Sequence, residues 1–373
     1  MEVIICGDTL PRKEAVAYFS LGEIENIFDD GILKILNAAD HRIVNLEGVL
    51  TESEKAIEKS GPSLKAPSVA IEGYKKIKVD FASLANNHMF DYGKTGLEDT
   101  IKVLEEAGIQ WFGARCGKQK DLVIAESDGL KLGICSYAER EFNLSEKDDA
   151  GAKLFDDLDT PDEVSRFKEQ VDALICLYHG GPECYRYPTP YIRKRCRKLV
   201  EKGADLVVCQ HSHCIGCEEE YKGALIVYGQ GNFCFNGSSN EYTDSALMLR
   251  VTLEKGHIST EAIPLVRKEY SIRLADDTEA KQIMGEYRQR SNRIKEEGFV
   301  EECFRKYALK KYPAERSKMY GLSGKALKLL GLDFVNRGLT GKKDNKALLN
   351  TVRNESHREI LTEGLGFYFG EDE

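Results

Sequence analysis

Short apolar runs alternate with amphipathic stretches along the first two-thirds of the chain. The apolar runs are rich in β-branched residues, which is typical of buried strands, and they lie at 3–6, 42–44, 79–84, 173–177 and 205–209. The amphipathic stretches predict helices over 31–39, 68–76, 96–107 and 191–202. Because strands and helices alternate, we expect an α/β fold with a layered sheet.

Other segments predict strands with no helix between them. Residues 122–125 and 130–137 flank Asp128-Gly129, which is a strong signal for a two-residue hairpin turn. Three later apolar runs lie at 224–228, 247–253 and 258–264. These strands predict a mixed sheet rather than a purely parallel one.

The composition changes near residue 268. Arginine, lysine and glutamate dominate from there to about residue 316, and short helical patterns separated by glycine and lysine continue to 369. The sequence therefore predicts two parts, an α/β domain over 1–267 and a C-terminal helical extension over 268–373.

Charge, hydropathy and cysteine content limit the classes of partner and the cellular compartment that we expect. The 373 residues include 62 acids and 53 bases, and a net charge of −9 argues against a nucleic-acid partner. No apolar run approaches the ~18 residues that span a bilayer, so we expect no integral membrane segment. The N-terminus opens directly into an apolar strand rather than a signal peptide, and 11 cysteines, an odd number, suit reduced thiols. We therefore expect a cytoplasmic protein.

Polar side chains follow five of the predicted strands at the point where each strand ends. They are Asp8; Asn45 and Glu47; Asn87, His88 and Asp91; His179; and His211 with His213. Because the carboxyl ends of strands form the ligand crevice of open α/β sheets, we expect these side chains to meet. Imidazole, carboxylate and amide ligands favour divalent Mn, Zn or Fe. The sequence therefore predicts a metal centre.

The order of these residues also predicts roles. His211 and His213 alternate along an extended segment, so both imidazoles face one side, within reach of two neighbouring ions. Glu47 is the candidate for a bridging carboxylate, and two such ions activate water for a displacement. His88, next to Asp91 in sequence, suits a general acid that this carboxylate orients.

Several motifs together resemble one family. They are Asn45-Leu-Glu-Gly, Ser83-Leu-Ala-Asn-Asn-His88 with Asp91-Tyr-Gly, His179-Gly-Gly-x-Glu183, Gly203-Ala-Asp-Leu-Val-Val, His211-Ser-His213 and Gly229-Gln-Gly-Asn-Phe233. In order and spacing over 1–265 they resemble the CapA family of capsule and poly-γ-glutamate synthesis, within the metallophosphatase-like (calcineurin-like phosphoesterase) group. The resemblance implies a four-layer α/β/β/α sandwich with a dinuclear metal centre.

The resemblance also implies a role for each matched position. Asp8 and His213 would bind the first metal, Glu47 would bridge, Asn87, His179 and His211 would bind the second, and His88 would donate a proton. The chain departs from the phosphoesterase pattern where Asp8 is followed by Thr9 and Leu10 instead of a histidine two positions on. Gln210 replaces a common glycine, and we expect no N-terminal anchor of the kind many members carry.

Two main functions are compatible with these residues, beside a third, a metal-stabilised binding module. The first is a metal-dependent hydrolase of phosphoesters or related ester or amide bonds, acting on a small-molecule or polymer substrate that Asn45, Glu183 and Arg186 contact. The second is a non-catalytic accessory component that works with other proteins of capsule or poly-γ-glutamate synthesis.

Two other patterns give weaker hypotheses. Cys209, Cys214 and Cys217 surround the histidine pair, but a structural zinc site usually needs a second cysteine pair at matched distance. The segments 321–325 and 338–342 end in Gly-Lys but lack the spacing of a phosphate-binding loop, so they predict helix boundaries instead.

Overall fold

A computed structural model describes residues 1–145, 147–235 and 240–318, with a few positions between 352 and 360. The predicted short helices beyond residue 318, including the segments 321–325 and 338–342, lie outside these described stretches. The helices are α1 (Glu14–Leu21), α2 (Asp30–Ala38), α3 (Ile71–Lys76), α4 (Gly93–Glu106), α5 (Asp159–Lys168), α6 (Pro190–Glu201), α7 (Asp277–Arg293) and α8 (Phe299–Lys318).

The strands form two large sheets and two small ones. They are β1 (Glu2–Leu10), β2 (His41–Leu46), β3 (Val49–Leu50), β4 (Lys65–Ala66), β5 (Phe81–Ser83), β6 (Gln110–Phe112), β7 (Ala114–Cys116), β8 (Lys118–Lys120), β9 (Leu122–Ser127), β10 (Leu130–Ala138), β11 (Leu144–Ser145), β12 (Ala150–Ala152), β13 (Ala173–His179), β14 (Leu206–Gln210), β15 (Ile215–Tyr221), β16 (Ala224–Gln230), β17 (Asn232–Phe235), β18 (Ser245–Glu254), β19 (His257–Lys268) and β20 (Ser271–Leu274).

Each large sheet has a parallel centre. The first sheet runs β20-β19-β18-β1-β2-β5-β6, with β17 also paired to β1, and β1, β2, β5 and β6 are parallel. The second sheet runs β15-β16-β14-β13-β10-β9, with β10, β13, β14 and β16 parallel. The small sheets are β11-β12-β7-β8 and β3-β4. The parallel strands thus place their carboxyl ends at one edge of each sheet.

Side-chain alternation along β1 divides the core into two layers. Val3 and Ile5 point into an inner core between the two sheets, where they join Ile134 of β10 and other apolar residues of the second sheet. Ile4 and Cys6 point to the opposite face, into an outer core with the helices α1 to α4. Helices α5 and α6 pack on the outer face of the second sheet. The predicted α/β class and the α/β/β/α order of layers are confirmed.

Local chemistry explains where several elements turn or begin. Asp128 and Gly129 both have positive φ values, 52° and 75°, as the mirror-image turn between β9 and β10 requires. Thr189 caps α6 by accepting a hydrogen bond from the Ile192 amide, and Pro190 follows at the start of the helix.

The predicted domain boundary after residue 267 falls inside β19. The first compact unit extends to Val300, and residues 301–373 form a second one. Helix α7 belongs to the first unit because the Tyr287 hydroxyl donates to Glu218 of β15 at 2.9 Å, and the Ser291 hydroxyl accepts from the Glu218 amide. Every helix in the described stretches is too short or too polar to cross a bilayer.

Candidate metal centre

The two sheets bring five of the predicted ligands to a common edge. Asp8 lies near the end of β1 and Glu47 follows β2, both from the first sheet. His179 is the last residue of β13, and His211 and His213 follow β14 in the second sheet. The first four side chains are buried, and the His213 side chain is 13% exposed. These residues are distant in sequence and converge because parallel strands end together.

Two groups of three possible ligands share one carboxylate. One group is Glu47, His179 and His211, the other is Asp8, Glu47 and His213, and in each the ligand atoms lie within 4.8 Å of one another. No cysteine belongs to a group of this kind in the part of the chain that the structure describes. The cysteines around the histidine pair therefore give no sign of a structural zinc site there.

Glu47 has the environment expected of a bridging ligand. Its side chain is fully buried, and neither carboxylate oxygen has a hydrogen-bond partner among the described residues. Its Oε1 lies 3.6 Å from His179 Nε2 and 3.6 Å from His213 Nε2. Two ligands that each lie 2.0–2.1 Å from a tetrahedral ion are about 3.3 Å apart. Because an unpaired buried carboxylate is costly, the site fits bound cations well.

Asn87 turns its amide oxygen towards the same group. Its Oδ1 lies 2.9 Å from His179 Nε2, and its Nδ2 donates to Glu141 Oε2 at 3.2 Å. His179 Nε2 in turn lies 3.1 Å from His211 Nδ1. Asn87 thus offers a sixth oxygen or nitrogen ligand, on the side of His179 and His211.

Asn45 contacts two of the candidate ligands, Asp8 and His179. Its Nδ2 donates to Asp8 Oδ1 at 2.8 Å and lies 3.2 Å from His179 Nδ1. The side chain is fully buried, and Asn86 Nδ2 donates to its Oδ1. The polar atoms of Asn45 are thus enclosed and engaged with Asp8 and His179, and a contact of Asn45 with substrate stays a prediction.

Burial and charge set the protonation of the two carboxylates. Burial raises the pKa of Asp8, but its hydrogen bond to His213 and the neighbouring imidazoles outweigh this and lower the pKa to about 2. Burial, reinforced by the charge of Asp8, raises the pKa of Glu47 well above its usual range. Asp8 is therefore the firmly ionised partner, and Glu47 resists ionisation until a positive charge arrives.

The pKa values of the three imidazoles also shift in different directions. Burial, with the proximity of His211, lowers the pKa of His179 well below its usual value. Burial and His213 also lower the pKa of His211. Burial opposes the charge on His213, yet Glu47 and Asp8 raise its pKa to about 10. His179 and His211 are thus neutral, as metal binding requires, whereas His213 must release a proton to bind.

His88 and Asp91 form a separate pair beside the ligands. His88 Nδ1 lies 2.7 Å from Asp91 Oδ2, and the Leu64 amide donates to the same oxygen. The ammonium of Lys59 binds the other oxygen, Asp91 Oδ1, and its side chain is only 4% exposed. Lys59 was not predicted, because it lies in an irregular stretch with no local signal.

The two predicted substrate contacts in the loop after β13, Glu183 and Arg186, have different surroundings. Glu183 is exposed, and its charge acts on both Glu47 and His211. The guanidinium of Arg186 instead donates to the carbonyls of Ile215 and Glu241 and lies over the Tyr242 ring. Arg186 also lines a separate cavity of about 340 Å³, and its contact with substrate stays a prediction.

Comparison with known proteins agrees with the motifs. The family described as "Bacterial capsule synthesis protein PGA_cap" matches residues 2–237. The chain belongs to this family. The match covers Asp8, Glu47, Asn87 and the three histidines at the sheet edge.

Two individual relatives are similar to this chain at 25–27% sequence identity. The capsule biosynthesis protein CapA of Bacillus anthracis is 27% identical over 233 residues, covering 60% of this chain and 57% of that protein. The PGA biosynthesis protein CapA of Bacillus subtilis (strain 168) is 25% identical over 243 residues, 62% of each. A solved structure of a novel phosphatase from Mycoplasma pneumoniae is 16% identical, covers 72% of this chain and 94% of that chain, and has a TM-score of 0.47. The chain spans less than two thirds of the length of these two CapA proteins.

Two further residues of this PGA_cap chain contact the ligands without having been predicted. Asn232 Oδ1 lies 2.8 Å from His213 Nδ1, and Asn232 belongs to the Gly229–Phe233 motif. Glu141 follows β10, so the signal that located the other ligands, a polar residue after a buried strand, also marks this position. The sequence thus contained a signal for both.

Proposed function

We propose that this PGA_cap chain is a metal-dependent hydrolase that cuts a phosphoester or a related ester or amide bond. The observation that supports it best is the pair of ligand groups sharing Glu47. Among the described residues this buried carboxylate has no hydrogen-bond partner, which is costly in a purely structural protein, and a bridging role between two cations accounts for it.

The proposed ligands divide between two ions. Asp8, Glu47 and His213 would hold one, and Glu47, Asn87, His179 and His211 would hold the other. These donors suit Mn, Zn or Fe, and a pair of such ions polarises the scissile group and lowers the pKa of water. Asn45 and Asn232 keep the ligand side chains in place.

His88 is the proposed proton donor to the leaving group. Asp91 holds its Nδ1, which leaves Nε2 for the proton transfer. The Asp91 carboxylate is itself fixed by Lys59 and by the Leu64 amide, so the imidazole has a firmly positioned partner. A general acid of this kind contributes about 10²–10⁴-fold to a rate.

A second candidate function is an accessory role in capsule or poly-γ-glutamate synthesis, together with other proteins of that process. The names of the CapA relatives favour it. One structural observation also favours the accessory role. Leu10 is buried and the Thr9 hydroxyl donates to the Gly7 carbonyl, so neither side chain adds a ligand next to Asp8. The group formed by Asp8, Glu47 and His213 therefore has a single imidazole.

One experiment separates the two candidates. The protein is loaded with Mn²⁺, its metal content is measured by plasma mass spectrometry, and hydrolysis of phosphomonoester, phosphodiester and amide substrates is followed. The variants are His179→Ala and His88→Ala, and His257→Ala, which removes an exposed imidazole, is the control.

We expect about two ions per chain in the wild type and in the control. His179→Ala should lose metal and turnover, whereas His88→Ala should keep the metal and lose about 10²–10⁴-fold in rate. Turnover unaffected by His179→Ala, or wild type that holds no Mn²⁺, would contradict the hydrolase. Metal-loaded wild type that cleaves none of the substrates would favour the accessory role.

A further inference from the structure

Two additional exposed carboxylates, Glu141 and Glu183, act on the candidate metal-ligand group. The Glu141 side chain is 45% exposed, yet its Oε2 accepts a hydrogen bond from Asn87 Nδ2, and its Oε1 lies 3.9 Å from His211 Nε2. Glu183 is exposed as well, and its charge acts on Glu47 and His211. The inner candidate ligands are almost fully buried, whereas the Glu141 carboxylate, which contacts both Asn87 and His211, is open to solvent.

The charges at this edge nearly cancel once the proposed ions are bound. Two divalent ions bring four positive charges, and Asp8, Glu47, Glu141 and Glu183 bring four negative ones. The nearby ammonium of Lys59 is bound to Asp91, so its charge is already balanced. Sites that take phosphate dianions usually present arginine or lysine to them, and Glu141 and Glu183 present the opposite sign.

We propose, on the basis of the proposed function, that Glu141 is a specificity-determining residue of this site. Together with Glu183, it restricts the site to substrates whose reacting group carries at most one negative charge. The substrate class is then a phosphodiester, or a carboxylic ester or amide, and phosphomonoester dianions are disfavoured.

The position of Glu141 allows its charge to be tested apart from its hydrogen bond. Glu141→Gln removes the charge and keeps an oxygen that accepts from Asn87 Nδ2. Glu141→Asp keeps the charge and serves as the conservative variant. Glu254→Gln removes an exposed carboxylate at the end of β18 and is the matched control.

The test measures anion binding directly. Protein loaded with Mn²⁺ is titrated by calorimetry at pH 8 and low salt with inorganic phosphate, which is mainly a dianion, and with dimethyl phosphate, a monoanion. Coulomb energy scales with the charge of the ligand, so an effect on the monoanion is squared for the dianion. We expect Glu141→Gln to bind phosphate about 10-fold and dimethyl phosphate about 3-fold more tightly than wild type. Glu141→Asp and Glu254→Gln should both stay within about 2-fold of wild type for either anion.

The outcomes distinguish this inference from the proposed function. Equal effects of Glu141→Gln on both anions, or none on phosphate, would overturn the inference while metal binding stands. Loss of Mn²⁺ from Glu141→Gln would also overturn it, since Glu141 would then be a metal ligand. Wild type that holds no Mn²⁺ refutes the proposed function and the inference with it.

Discussion

The Glu47→Gln variant should be more stable than the wild type without metal and less stable than the wild type with Mn²⁺. Glu47 is fully buried, its two oxygens accept no hydrogen bond from the described residues, and the closest imidazole nitrogens are 3.6 Å from Oε1. Without a metal ion, the ionised carboxylate is therefore a buried charge that accepts no hydrogen bond from the described residues and is offset only in part by the protonated His213 imidazole. Glu47→Gln keeps the shape and removes that charge.

The size of the effect follows from the cost of such a group. An unsatisfied buried polar group costs about 1–3 kcal/mol, and a charged one more, so the metal-free variant should gain about 2 kcal/mol. In a unit of this size that is a rise in Tm of about 4 °C. Free Mn²⁺ at about 1,000 times its Kd stabilises the wild type by about 4 kcal/mol, or about 8 °C. The variant should lose most of this gain because it lacks the shared carboxylate.

The pH dependence gives an independent check of the sign. The pKa of Glu47 is raised in the folded protein, mainly by burial and then by Asp8. Its unfolded value is about 4.3, so the folded state binds the extra proton above that pH. Metal-free wild type should therefore lose stability relative to the variant as pH rises from about 5 towards the raised pKa.

The assay is thermal unfolding by differential scanning calorimetry, in EDTA and in Mn²⁺, at pH 5.5 and pH 8. The expected result is that the variant is the more stable protein in EDTA and the less stable one in Mn²⁺. A variant that is less stable in EDTA at pH 8 would refute the reasoning, because Glu47 would then stabilise the fold without a cation.

Two other substitutions test the surroundings of the site. Asn45→Ala removes the hydrogen bond that orients Asp8, so Mn²⁺ affinity should fall about 10–100-fold in equilibrium dialysis, with the circular dichroism spectrum retained. Unchanged affinity would contradict that role. Burial raises the pKa of Glu219, but hydrogen bonds from two arginines of α6 outweigh this and lower it to about 2. Its contribution is therefore present above about pH 4.3 and lost as pH falls towards 2. Glu219→Gln should cost about 2 kcal/mol in urea unfolding at pH 7 and little at pH 2; an equal cost at both would argue against ionic stabilisation.

The predicted parts of the fold were those whose signal is local. Buried parallel strands are continuous apolar runs, so β13 was expected at 173–177 and lies at Ala173–His179. The helix expected at 96–107 is α4, Gly93–Glu106, because Leu97 and Leu104 recur at helical spacing and are buried. Polar residues at the ends of such strands are conspicuous for the same reason, and the structure brings several of them together as candidate metal ligands at the sheet edge.

The parts that escaped prediction depend on distant partners. β15 contains three consecutive glutamates, a pattern unfavourable for a buried strand. It forms because Glu219 accepts from two arginines of α6 and from Tyr228, while Glu218 accepts from Tyr287. The contact between Glu218 and Tyr287 also holds the charged helix α7 against β15, within the first compact unit. A change in composition near residue 268 therefore did not coincide with the end of that unit.

The candidate ligands come from two different sheets, which connects the proposed chemistry to the fold. Asp8 and Glu47 belong to the first sheet, whereas His179 and His211 belong to the second, and the inner core holds the two sheets together. A cation shared by Glu47 and His179 would add a bond between the sheets at the edge where that core ends. Metal should then stabilise the packing of one sheet on the other as well as the site. For this reason, Mn²⁺ should slow hydrogen exchange in both β2 and β13 of the wild type, and in neither strand of Glu47→Gln.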